Sequence, residues 1–259
     1  MNQTRIRRRS FRDLAAIDST ADFHTYALEH ALGLYAAHCR ERGRGLGSVL
    51  AIGANRREAH RFVHHPFDEI LLTGLLESDD ALREVERTDP RVNYRVENAE
   101  CLSFPSRSYD LVFCKESLHH LARPVLGLYE MLRVCREAAI LIEPYETWAG
   151  RILQTLGIAT VYEKNQIGNV AARDNYVYRW HRRDLEALLA SLYLESGYTL
   201  DLTLGWMSSR ANGHRNPWIR RAAALCGWLL GWTPGSRGNY MTALITPGTN
   251  LPPDPGAQP

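Results

Sequence analysis

The chain alternates short apolar runs with longer segments whose apolar positions recur at helical spacing. Residues 109–114 (YDLVFC), after a turn punctuated by Pro and Ser, have the pattern of a strand buried on both faces. Pro124 then opens a segment in which Val125, Leu128 and Leu132 predict a helix, and residues 138–142 (AAILI) form a second buried run. Strand, helix and strand in that order predict a right-handed parallel crossover. Residues 115–120 and 143–146 then fall on the sheet edge where open α/β sheets bind ligands.

Ahead of this unit, Leu28, Leu32, Tyr35 and Cys39 predict a helix over residues 22–42, with Asp22 as candidate cap and the 43–47 segment ending it. After it, Leu185, Leu188, Leu189 and Leu192 predict a helix over 183–192, and residues 199–204 and 240–245 read as the last two strands. The expected organisation is a basic flexible arm (1–21), a domain over 22–246 with insertions near 145–182 and 205–238, and a disordered Pro-rich tail (247–259).

A chain of 259 residues with 45% hydrophobic content can bury the core of an α/β domain. The net charge of +2 says little about partners, but its distribution says more. Arg5, Arg7, Arg8, Arg9 and Arg12 crowd the N-terminus, and the acid-free stretch 202–253 carries Arg210, Arg215, Arg220, Arg221 and Arg237. Such a stretch suits an anionic substrate group, phosphate or carboxylate, or else is a solvated basic surface. Five cysteines without paired metal-ligand spacing read as reduced thiols of a cytoplasmic protein, with no metal expected. No apolar segment of signal-peptide type follows the N-terminal arginines.

Residues 217–232 (PWIRRAAALCGWLLGW) hold an uncharged run far short of the ~20 residues of a membrane span. Two roles stay open for them: a helix packed over the site or between copies, or a peripheral membrane contact lying in the bilayer interface. Upstream, residues 162–179 read as a cap. Tyr176, Tyr178 and Arg179 are candidate contacts for a sugar, aromatic or phosphate-bearing substrate; a strand whose tyrosines pack on the core is the alternative. Adjacent His119 and His120 on a helix would point about 100° apart and cannot share a metal. Ser117 lacks a nucleophile elbow, no Walker loop exists, and no nucleic-acid reading module accompanies the basic arm.

Residues 98–144 resemble the class I S-adenosylmethionine (SAM) dependent methyltransferases, specifically the type 11 branch. That family has an acid, a Leu-Pro-Phe-like turn, a Phe-Asp-x-Val strand, a Leu-His-His-Leu segment and a Glu-Pro, in this order. Here they read Asn98-Ala99-Glu100, Leu102-Ser103-Phe104-Pro105, Tyr109-Asp110-Leu111-Val112, Leu118-His119-His120-Leu121 and Glu143-Pro144. The resemblance implies a Rossmann-like α/β fold: a mostly parallel seven-stranded sheet, helices on both faces, and an antiparallel C-terminal edge.

The upstream half departs from the pattern. In residues 49–59 (VLAIGANRREA), where the family has an acid before Gly-x-Gly-x-Gly, the acid falls on Ala51 and the glycines on Gly53, Asn55 and Arg57. Asn tolerates left-handed backbone angles, so Asn55 is the easier replacement to accommodate. The ribose-binding acid aligns with Leu76, with Glu77 one residue later, and Asn98 keeps an amide oxygen where the family has the adenine-binding acid. The resemblance implies SAM as cofactor, lined by Gly53, Asn55, Glu77, Asn98, Ala99 and Lys115. It implies catalytic candidates Glu116, His119, His120, Glu143 and Tyr145 facing the acceptor, a leading helix over the cofactor or substrate mouth that makes Tyr26 a candidate substrate contact, and a substrate-selecting role for the segments near 145–182 and 205–238. Two functions follow: methyl transfer to a small-molecule, glycan or lipid-linked metabolite by positioned in-line attack, or a methyltransferase-like binding module that has lost normal SAM binding.

Overall fold

The structure, a computed structural model, describes residues 2–8, 20–75, 80–156, 162–164, 174–193, 197–206, 214, 216–233 and 237–248. Its strands are β1 (Gln3–Arg8), β2 (Ser48–Ile52), β3 (Glu69–Gly74), β4 (Val92–Val96), β5 (Tyr109–Lys115), β6 (Cys135–Pro144), β7 (Tyr162–Lys164), β8 (Asp174–Tyr176), β9 (Tyr198–Gly205) and β10 (Tyr240–Pro247). Its helices are α1 (Thr20–Glu41), α2 (Arg56–Val63), α3 (Asp80–Thr88), α4 (Pro124–Val134), α5 (Trp148–Thr155), α6 (Arg182–Leu192) and α7 (Pro217–Leu230).

Eight strands form one sheet in the order β1-β9-β10-β6-β5-β2-β3-β4, and β7 pairs with β8 in a separate ribbon. Only β10 runs antiparallel in the large sheet, against β6 and β9; the other pairings are parallel. The alternation of side chains along each strand divides the core into two layers. Leu50, Ile52, Val112, Ala139 and Leu141 face α4 and α6, through Leu128, Met131, Leu185 and Leu189. Val49, Ala51, Leu111, Phe113 and Ile140 face α1, α2 and α3, through Leu28, Phe62 and Leu82. Residues so enclosed need apolar side chains on both faces, which is why β5 and the middle of β6 read as unbroken apolar runs.

The crossover over residues 109–144, the leading helix and the two final strands appear as expected, with ends displaced by a few residues. Three expectations are corrected. The arm expected to be flexible contains β1, which pairs with β9 from Gln3↔Thr199 to Arg8↔Leu204 and makes the sheet eight-stranded rather than seven. α1 starts at Thr20, so Asp22 lies inside it and not at its cap. His119 and His120 occupy a single 3₁₀ turn, Leu118–His120, rather than an α-helix. Residues 249–259 of the expected tail lie outside the described residues.

Candidate active site

Strand order reverses between β2, which is followed by neighbours on one side, and β5, whose successor β6 lies on the other. The carboxyl ends of β2 and β5 therefore flank the crevice where ligands bind in such sheets. Gly53 sits there with φ +61, and a Cβ added to it would meet the Ser117 Oγ at 2.5 Å. Both the left-handed backbone and the close approach require glycine at this position.

The other two glycine positions are explained by where α2 begins. Asn55 is its N-cap, with extended backbone at φ −107 and ψ 173, so the expectation of a left-handed Asn is corrected. Its Oδ1 accepts from Arg57 N at 2.9 Å and Glu58 N at 3.3 Å, and its own N–H donates to Glu58 Oε2 at 2.8 Å. This reciprocal capping box satisfies donors that the helix start leaves open. Arg57 lies in the first turn with an exposed side chain and no positive φ, so no glycine is needed. Ala51, at the family's acidic position, is fully enclosed in the apolar layer beside α1 and α2.

A chain of charges crosses this edge. Lys115 Nζ lies 3.1 Å from Glu58 Oε1 and 2.6 Å from Glu116 Oε2, and His24 Nδ1 of α1 lies 3.1 Å from the same Glu116 oxygen. Glu58 is 1% exposed and Lys115 5%. Burial pushes the Glu58 carboxyl up, against the pull of Lys115. Burial also opposes the Lys115 charge, but Glu58 and Glu116 outweigh it and hold the ammonium above its ordinary value. At Glu116 burial is overcome by Lys115 and His24, and the carboxyl stays below its ordinary range. Burial lowers His24, with Glu116 pulling the other way. Glu116 has φ +50, a left-handed conformation that costs a non-glycine residue about 1–3 kcal/mol and clusters at functional sites.

At the end of β6, Glu143 is fully buried. Its Oε1 accepts from Ser117 N at 3.0 Å and Leu118 N at 2.9 Å, and its Oε2 contacts His119 Nδ1. His119 is itself buried, with His120 packed beside it at 4.0 Å between ring centroids. The expectation that Glu143 and His119 face an acceptor is therefore corrected: they fasten the turn after β5 to the end of β6. Tyr145 follows, stacked on His181.

Among the other expected contacts, Asn98 is exposed two residues beyond β4 and its Oδ1 accepts from Glu100 N at 3.0 Å, which leaves a second lone pair. Ala99 is nearly buried beside α4. Leu76 and Glu77 lie outside the described residues. Tyr26 stacks on His30, whose Nε2 reaches Thr203 Oγ1 at 3.0 Å on β9. The expected run 175–179 is not one strand: β8 ends at Tyr176, and Tyr178 packs edge-on against buried Trp180. Arg179 is half-buried.

The residues sequence reasoning missed are Glu58 and an arginine cleft. Asn followed three positions later by Glu is a capping-box signature, a signal that could have found Glu58. The cleft, about 670 Å³, opens at the end of β6 beside β1 and β9. Arg151, Arg182, Arg183, Arg237 and His181 line it against two carboxylates, Glu146 and Asp184. Arg151 and Arg182 have acidic neighbours, Glu146 at 3.4 Å and Glu186 at 3.5 Å.

The residues at the crevice fit SAM. The Gly53 turn presents backbone without a Cβ, and Glu116, whose carboxyl stays below its ordinary range, places negative charge at the same edge, which complements a sulfonium.

The sequence profile of the methyltransferase domain family matches residues 50–142. No curated protein matches the sequence. Among solved structures, the YcgJ protein from Bacillus subtilis is similar at 15% identity, over 86% of this chain and 99% of that one, with a TM-score of 0.53. A SAM-dependent methyltransferase from Methanosarcina mazei is 13% identical over 79% of this chain and 93% of its own, with a TM-score of 0.51. The [4+2]-cyclase SpnF is 15% identical over 85% and 80%, also at 0.51. At such identities the likeness establishes the fold.

Proposed function

We propose that this chain, whose residues 50–142 match the methyltransferase domain family, is a class I SAM-dependent methyltransferase of the type 11 branch that transfers a methyl group to a small anionic or lipid-linked acceptor. The observation that carries the reading is the Gly53 turn at the strand-order reversal, within the family match and beside the Glu58–Lys115–Glu116 chain. When bound, SAM supplies an electrophilic methyl on a positive sulfonium, so the protein's part is chiefly to align donor and acceptor.

Gly53 and Asn98 would hold the cofactor, with Glu116 supplying negative charge. Lys115 orients Glu116 and keeps it ionised, and Glu143 with His119 fixes the turn that places Ser117 against Gly53. His120 and Tyr145 are the acceptor-side candidates. The arginine cleft continues along the same edge from Tyr145 and supports an acceptor bearing phosphate or carboxylate, since guanidinium forks bind such groups in pairs of hydrogen bonds.

Transfer from methyl-labelled SAM to phosphate- and carboxylate-bearing acceptors tests this. Arg182→Ala and Arg237→Ala should raise the acceptor KM roughly tenfold to a hundredfold, the worth of a charge-assisted hydrogen bond, without changing SAM affinity. Equal loss of both would reject the cleft as the acceptor's place. A second reading, a non-catalytic binding module, is favoured by the nearly sealed Lys115, whose ammonium is already shared between Glu58 and Glu116. The cyclase of the same fold is a reminder that the scaffold does not dictate methyl transfer.

A further inference from the structure

α7 is a fourteen-residue helix that buries none of its residues. Trp218, Leu225 and Leu229 recur along one face and stand 71, 44 and 51% exposed, with Ile219 and Leu230 on its flank. The opposite flank is seated on the protein: a Cβ added at Gly227 would come within 3.1 Å of Trp206 Cβ. The helix's only charges are Arg220 and Arg221, and the guanidinium of Arg221 lies 5.5 Å from the Trp218 ring centroid. No acid occurs in the sequence between Asp201 and Asp254.

α5 repeats the arrangement. Trp148, Ile152 and Leu156 follow one another at every fourth position and are at least half exposed, with Arg151 beside them. α5 borders the arginine cleft, and the C-terminal end of α7 comes close to one of its lining residues. Trp148 and Arg151 line it, and a Cβ at Gly231, the C-cap of α7, would sit 3.8 Å from the carbonyl oxygen of Arg237, another lining residue.

Exposed Trp and Leu rimmed by arginine, with no acid in either helix, is the composition of a segment lying in a lipid headgroup boundary. Among the described residues no helix is long and apolar enough to cross a membrane. We propose that α5 and α7 form a docking surface for an anionic lipid bilayer, their apolar faces entering the headgroup boundary while Arg151, Arg220, Arg221 and Arg237 meet lipid phosphates. The cleft then opens at headgroup level, which narrows the acceptor to a lipid-linked anion. That last step rests on the methyl-transfer reading, whereas docking does not.

Flotation of the full chain with vesicles tests docking without SAM present. Binding to phosphatidylcholine mixed with phosphatidylglycerol should exceed binding to phosphatidylcholine alone by roughly tenfold or more, and should fall as salt is raised. Leu225→Asp with Leu229→Asp should lower partitioning by roughly tenfold or more while the thermal midpoint stays unchanged, since both side chains are exposed. Arg220→Gln with Arg221→Gln, which leaves the apolar face intact, should remove most of the preference for anionic vesicles. Equal or absent binding to both vesicle types overturns the proposal. So does a dimer in sedimentation equilibrium that the Leu225/Leu229 pair of substitutions dissociates, because the face then belongs to a second copy.

Discussion

Lys115 Nζ lies 3.1 Å from Glu58 Oε1, tying the end of β5 to the first turn of α2 in a pair with almost no solvent contact. A buried pair is costly to break from one side, because the remaining charge has neither water nor partner. Lys115→Met should therefore destabilise the fold by about 3–5 kcal/mol in urea unfolding. Adding Glu58→Gln, which keeps an acceptor for Asn55 N–H, should recover a large part of that loss. Additive effects of the two substitutions would show that the pair is not coupled.

Gly53→Ala places a β-carbon in a left-handed turn and against Ser117. The backbone alone costs about 1–2 kcal/mol, and the contact adds to it. Ser117→Gly in the same chain should restore the contact part and leave the backbone part. A Gly53→Ala protein as stable as the parent would contradict the positive φ.

Asn55 separates capping from cofactor binding. Asn55→Ala should lose about 1 kcal/mol of stability and Asn55→Gly only a few tenths, the ranking of N-cap residues. A fall in SAM affinity without that stability ranking would instead make Asn55 a cofactor contact.

Asp110 Oδ2 accepts from Ser48 N at 2.9 Å and Ser48 Oγ at 3.0 Å, and its Oδ1 from Arg136 Nη1 at 2.7 Å. Burial would raise its pKa, but these donors outweigh burial and depress it below the ordinary 3.8. A carboxylate with a depressed folded pKa contributes stability above its unfolded pKa, and that stability is lost as pH falls through the folded one. Stability should therefore drop as pH falls below 3.8. Asp110→Asn should be less stable at neutral pH and show a flatter acid limb; an unchanged acid limb would assign the loss to other carboxyl groups.

The residues from Tyr109 to Pro144 were legible because strands enclosed on both faces leave short apolar runs, bounded here by a Pro and Ser turn and separated by a segment of helical spacing. β1 was not, because QTRIRR is an edge strand with exposed alternate residues, and its pairing is supplied by β9, far along the chain. Arg57, the harder of the two glycine replacements to accommodate in a turn, lies instead in the first turn of α2. The local signature of Asn55 and Glu58 starts the helix earlier and removes the conflict. The Glu58–Lys115 pair and the grouping of Arg151, Arg182 and Arg237 join segments distant in sequence, so they appear only once the sheet order is known.

On the methyl-transfer reading, the crevice between Gly53 and Lys115 takes the cofactor. Calorimetric titration of purified protein, cleared of co-purifying ligand, with SAM and with S-adenosylhomocysteine measures it most directly. Micromolar binding of both, lost in Gly53→Arg with the fold retained, is the predicted result. Folded protein that binds neither would contradict methyl transfer and leave the chain as a binding module of this fold.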